Sequence, residues 1–206
     1  MLIAIVVILI IVVIGLIIYN LSIHKKIQTF KNINQKITNL SVVQDFINTI
    51  GETSSVDEKI KKINEILIEK YEIKYSTIVV FDGAEYIIKA SNVDQRHWES
   101  LKSLQDVEMF KDSISSGIPK YVTVNNENER LPYQKMEFGR AKSAIFFPLY
   151  IDNVYIGYWI IESGVAHDFD NVDTTVLEVI KDNIVSVLKT VTHQKTLESI
   201  VRKDLY

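Results

Sequence analysis

Along this chain apolar residues first run without interruption, then recur every three or four positions, then alternate, and finally return to the helical spacing. Each change of period predicts an element. Leu2 to Tyr19 is apolar apart from Gly15 and the terminal tyrosine. As a helix rising about 1.5 Å per residue it covers about 27 Å of hydrocarbon, so residues 1–20 read as one transmembrane helix. A cleaved signal would have a basic start, a shorter apolar core and a small-residue cleavage site, so the reading is an uncleaved anchor. Ile23, Ile27, Phe30, Ile33, Ile37 and Leu40 continue the helical period through residues 21–40, a juxtamembrane linker with a seam suited to dimerisation. The alternative for that linker is a polar stalk, because Asn20, Asn32, Asn34 and Asn39 are poor helix formers.

Ser41 with Gln44 and Ser55 with Glu58 match helix-start capping boxes, the second opening a helix with Ile60, Ile63, Leu67 and Ile68 on its apolar face. Thr77 to Phe81 and Glu85 to Ala90 read as a hairpin turned at Asp82-Gly83. Trp98, Leu101 and Leu104 predict a short helix, and Val107, Phe110 and Ile114 another that stops at Gly117. Pro119 to Val124 follows as a third strand. In Ser143 to Glu162 apolar side chains occupy both parities on either side of an Asp152-Asn153 turn, so both faces of the hairpin must be covered. Pro148 and Gly157 predict a bulge and a close approach to the backbone. A last helix is expected from near Asp170, with Leu177, Ile180, Ile184, Val187 and Val191 as a seam read as a dimer interface. Residues 192–206 would be its exit, a signalling helix toward an output domain.

Charge sharpens the orientation. Lys25, Lys26, Lys31 and Lys36 follow the apolar run with no acid among them, which marks the cytoplasmic side. The expectation is a single-pass protein of the cell membrane with its C-terminal domain in the cytoplasm. The remainder carries 26 acidic residues against 19 lysines and arginines, giving no electrostatic footprint for nucleic acid. With no cysteine in the chain, disulfides, thiolate catalysis and a covalently attached chromophore are excluded.

In order along the chain, Ser143, Pro148-Leu149, Ile156-Gly157, Phe169 and Asp173 resemble the pattern of a GAF domain, the small-molecule sensor module related to PAS domains. The resemblance covers residues 41–191. It implies an α+β fold with a central antiparallel sheet of five or six strands, flanking helices on one face and a ligand cavity on the other beneath a loop-rich segment. A shorter resemblance at Glu198 to Tyr206 is to the helix that enters a GGDEF domain. It implies a diguanylate cyclase as the output of a longer protein, in cyclic-di-GMP signalling, with a histidine kinase as the alternative.

No catalytic constellation stands out. His24, His97, His167 and His193 are scattered, and there is no glycine-rich phosphate loop or nucleophile motif. The chain itself is expected to be no enzyme. Methionine sulfoxide reduction on this fold needs cysteines. His97, beside Trp98, is the one histidine to test for noncovalent haem. Asp168, Asp170 and Asp173 read as helix-terminal acids, and no metal site is expected. The pocket candidates come from the polar stretch 125–139, long for a loop in a compact domain, and from its neighbours. Arg130 and Arg140 would pair with an anionic ligand, while Tyr121, Tyr133, Phe138 and Phe146 would stack on it or wall it, with Gly157 as the point of close approach. The partners expected are the membrane, a second copy of the chain and a small molecule of unknown identity. A ligand-free dimerisation spacer is the competing expectation.

Overall fold

The helix opening at Ser55 is capped as its sequence requires. In the computed structural model the Ser55 backbone N–H donates to Glu58 Oε2 at 2.9 Å, and the Glu58 N–H donates back to Ser55 Oγ at 3.3 Å. The structure describes residues 44–45, 48, 51, 55–71, 73–126, 129–134, 141–170, 172 and 174–203, without the side chains of Tyr71 and 191–203. All of these lie in one compact unit, Val42–Tyr206. The membrane helix, the linker and the Ser41–Gln44 cap fall on or reach into residues outside that set. Among the described residues no helix is long and apolar enough to cross a membrane.

Helix α1 (Val56–Tyr71) buries Ile60, Ile63 and Leu67 completely. Strands β1 (Tyr75–Phe81) and β2 (Tyr86–Ser91) form the expected hairpin. Its connection runs over four residues, because Asp82 Oδ1 accepts the N–H groups of Ala84 and Glu85 and so builds a side-chain-stabilised turn. A turn of 3₁₀ helix leads into α2 (Trp98–Lys102), and a second into α3 (Glu108–Ser116). Helix α3 ends where Gly117 takes the left-handed conformation at φ 71° and donates to Ser113 O at 2.9 Å.

Strands β3 (Lys120–Thr123), β4 (Ser143–Ile151) and β5 (Val154–Ser163) complete a five-stranded antiparallel sheet in the order β2-β1-β5-β4-β3. Asp152 and Asn153 both have positive φ, 49° and 66°, as the two-residue turn between β4 and β5 demands. The predicted bulge is present: Leu149 pairs with Gly157 but Tyr150 with Tyr155, leaving Ile156 as the extra residue. Strand β5 is therefore central, with β1 on one side and β4 on the other.

Long helix α4 (Thr174–Lys203) packs with α1 on one sheet face. Its stripe Leu177, Ile180, Ile184 and Val187 is at most 2% exposed and lies in the same core as Ile145, Phe147, Leu149, Trp159 and Ile161 of the sheet. This corrects the dimer-seam expectation, since the sheet and α1 already cover those four side chains within one chain. Val191, the fifth, has no described side chain. The helix also starts later than Asp170. Residues 166–170 form turns instead, with the Asp170 N–H on His167 O and the Val172 N–H on Phe169 O.

Candidate functional site

Alternation along β4 and β5 sends a second set of side chains to the opposite sheet face. There Val79, Ala144, Phe146, Tyr158 and Ile160 meet Leu101 and Leu104, Phe110 of α3, and Val122, Val124 and Leu131. Aromatic rings form its centre. Phe110 stacks on Phe146 at 4.4 Å between centroids, Phe146 stacks on Tyr158 at 4.9 Å, and Tyr133 tilts against Phe110 at 5.5 Å. The Tyr158 hydroxyl donates to Leu101 O and accepts the Leu104 N–H, which pins the turns between α2 and α3 to the central strand. Burial pushes the Tyr158 hydroxyl above the ordinary tyrosine range, so it remains a neutral donor. Tyr155 is raised by burial in the same way, and lies within ring contact of both Tyr86 and Tyr150.

Glu162 is the polar centre of this face. It follows Tyr158 and Ile160 at the same parity of β5 and is 1% exposed. Its Oε1 accepts from Tyr133 Oη at 2.8 Å and from Gln134 Nε2 at 3.3 Å, while Gln134 Oε1 accepts the Ala141 N–H at 3.3 Å. Burying a carboxylate is costly unless donors meet it, and these two come from the long polar stretch 125–139. On sequence alone Glu162 reads only as the end of an apolar run. The available signal is an acid at an inward parity of a strand covered on both faces.

Of the predicted pocket residues, the structure brings together Tyr133 and Phe146, joined through Phe110. Arg130 is exposed, and Phe138 and Arg140 lie outside the described residues. Gly157 is corrected: what approaches it is β1, not a ligand. A Cβ there would sit 2.1 Å from Val79 O and 2.9 Å from Val80 Cα, and its φ is 148°. Tyr121 lies apart from Tyr133 and Phe146, because it sits on edge strand β3, is 36% exposed and pairs in register with Ile145 of the helix-covered face. Its hydroxyl donates to Asp170 Oδ1 at 2.5 Å. It lines a groove of about 480 Å³ with Pro119, Ile145, Phe169, Asp170, Val172 and Thr174. Asp168 accepts from the Ser163 hydroxyl, so it and Asp170 are bound to side chains rather than to the start of α4. His97 is half-buried at the start of α2, and His167 Nδ1 lies 3.1 Å from Asp170 Oδ2.

No protein-family model matches the sequence, and no curated protein matches it. Solved structures are similar to it in fold. The GAF domain of a phosphoenolpyruvate-protein phosphotransferase from Coxiella burnetii superposes with a TM-score of 0.59 at 10% identity, covering 79% of this chain and 98% of that one. The GAF domain of a candidate sensor histidine kinase from Pseudomonas syringae pv. tomato gives 0.58 at 11% identity, over 84% and 99%. Free methionine-R-sulfoxide reductase from Neisseria meningitidis, in complex with its substrate, gives 0.55 at 13% identity, over 73% and 88%. The chain has the GAF fold.

Proposed function

We propose that this GAF-fold chain is the sensor or regulatory module of a membrane-anchored signalling protein. In this reading residues 1–20 span the membrane and residues 21–40 form a linker that pairs with a second copy. The domain from 41 onward lies in the cytoplasm and acts through α4 on an output domain. The observation that carries the reading is the double role of α4. Ile180, Ile184 and Val187 are core residues beneath the sheet, Leu188 is the last of the described side chains in that core, and the same helix runs on to Lys203. A change in how the sheet packs on α4 would therefore be carried along the helix toward Lys203. A ligand can bias two helix arrangements only by its difference in affinity for them.

The output favoured is a diguanylate cyclase, from the GGDEF-like tail, with a histidine kinase as the alternative. The test joins the chain to its downstream region and measures cyclic dinucleotide synthesis with and without the domain's ligand. Autophosphorylation in place of cyclic dinucleotide would move the assignment to the kinase.

A second reading is favoured by one specific observation: Phe110, Phe146 and Tyr158 already fill the centre of the face opposite the helices. On that reading the domain is a ligand-free GAF spacer that only supports dimerisation. Thermal-shift screening against nucleotides, amino acids and haem separates the two. A saturable rise in midpoint supports the sensor, and no rise across the panel supports the spacer.

A further inference from the structure

The segment Leu131-Pro132-Tyr133-Gln134 belongs to no helix or strand, yet all its described anchors converge on one sheet face. Leu131 is 1% exposed within the aromatic cluster. Pro132 and Tyr133 form a turn closed by the Gln134 N–H on Leu131 O at 3.0 Å. Tyr133 lays its ring against Phe110, and both it and Gln134 donate to the Glu162 carboxylate. An aliphatic residue at position 162 would suit the pattern of Tyr158 and Ile160 and would avoid burying a carboxylate. The carboxylate instead ties a loop, which has no ladder hydrogen bonds of its own, to the central strand.

We propose that residues 131–134 are a built-in plug. They occupy the sheet face that a small molecule would have to contact, and Glu162 is the latch that holds them there. Release of Tyr133 and Gln134 from Glu162 uncovers the Phe110 ring at the edge of the aromatic stack without breaking any strand pairing. The latch also sits one residue before Ser163, whose side chain holds Asp168 on the connection to α4, so plug position is read at the end of β5 nearest the exit helix. Its regulatory meaning rests on the sensor reading above. The plug itself does not.

Hydrogen exchange read by mass spectrometry on the ligand-free domain tests it. In Tyr133→Phe and in Gln134→Ala, which each remove one donor to the latch, the Tyr133 and Gln134 amides should exchange about tenfold faster, with β4, β5 and α4 unchanged. The double variant should bind the apolar-surface dye 1-anilinonaphthalene-8-sulfonate several-fold more strongly than the parent. Unchanged exchange at 133–134, acceleration of β5 in the same proportion, or unchanged dye binding in the double variant would each overturn the proposal. None of these readouts depends on the ligand screen, so a plug that opens in a domain binding nothing would reject the sensor alone.

Discussion

The two faces of the sheet are covered by opposite means. On one, two regular helices lay aliphatic stripes over Ile145, Phe147, Leu149, Trp159 and Ile161, and the Trp159 indole N–H is satisfied within the core by Ser76 Oγ at 3.0 Å. On the other, short helices and a loop are pegged by polar groups that reach into the sheet: Tyr158 to Leu101 O, and Tyr133 and Gln134 to Glu162. The first face depends on contiguous apolar area, so it is lost cooperatively. The second has an apolar cluster of its own, and its loop is tied down in addition by discrete bonds, which can release without dismantling that cluster.

The largest expected effect breaks the helix-covered face. Ile184→Lys places an ammonium group among the apolar side chains of that core, and should abolish the cooperative thermal transition and most of the circular dichroism signal. A folded protein of halved mass by light scattering would instead restore the dimer-seam reading. Next is Gly157→Ala, which strains the backbone and drives a methyl group into β1. We expect a loss of about 4 kcal/mol by chemical denaturation, and a loss under about 1 kcal/mol would mean that β1 can move aside.

On the opposite face, Phe110→Ala removes the ring between Tyr133 and Phe146. It should cost about 3 kcal/mol while leaving a two-state transition, and loss of all structure would erase the contrast between the faces. The smallest effect lies at the margin of the first face. Ser55→Ala removes the N-cap of α1 and should lower the thermal midpoint by about 4 °C. Hydrogen bonds from the Ser55 backbone and hydroxyl hold the Glu58 carboxyl below its ordinary value of 4.5. The stabilisation is therefore present above 4.5 and lost as pH falls through the lowered value, so the part of the gap between parent and Ser55→Ala that comes from the hydroxyl should narrow as the solution is acidified below 4.5, while the part from the backbone bond is common to both.

Much of this architecture is legible in the sequence because it rests on local rules. The Ser55–Glu58 box, the Asp152-Asn153 turn, the Gly117 stop and the double parity of β4 and β5 each follow from a few adjacent residues. Elsewhere a pattern has two physical solutions, and there the sequence misleads. A stripe of three-and-four spacing on α4 suits a partner helix or a sheet equally, and Leu177 to Val187 meet the sheet. Gly157 announces a close approach without saying of what. Nearness to one loop groups Arg130 with Tyr121 as pocket residues, whereas exposure places Arg130 at the surface and strand parity places Tyr121 on the other face.

By itself the sequence determined, among the described residues, most of the elements and that the central hairpin is buried on both sides. Period, capping and turn chemistry act between residues a few positions apart. Only the tertiary structure decided which strands adjoin, which core the α4 stripe joins, and that Tyr133 and Gln134 meet Glu162 across the fold. Those last two contacts join positions 28 or more residues apart. No local rule relates such positions, and the antiparallel register of β5 between β1 and β4 is what puts the carboxylate beneath the loop.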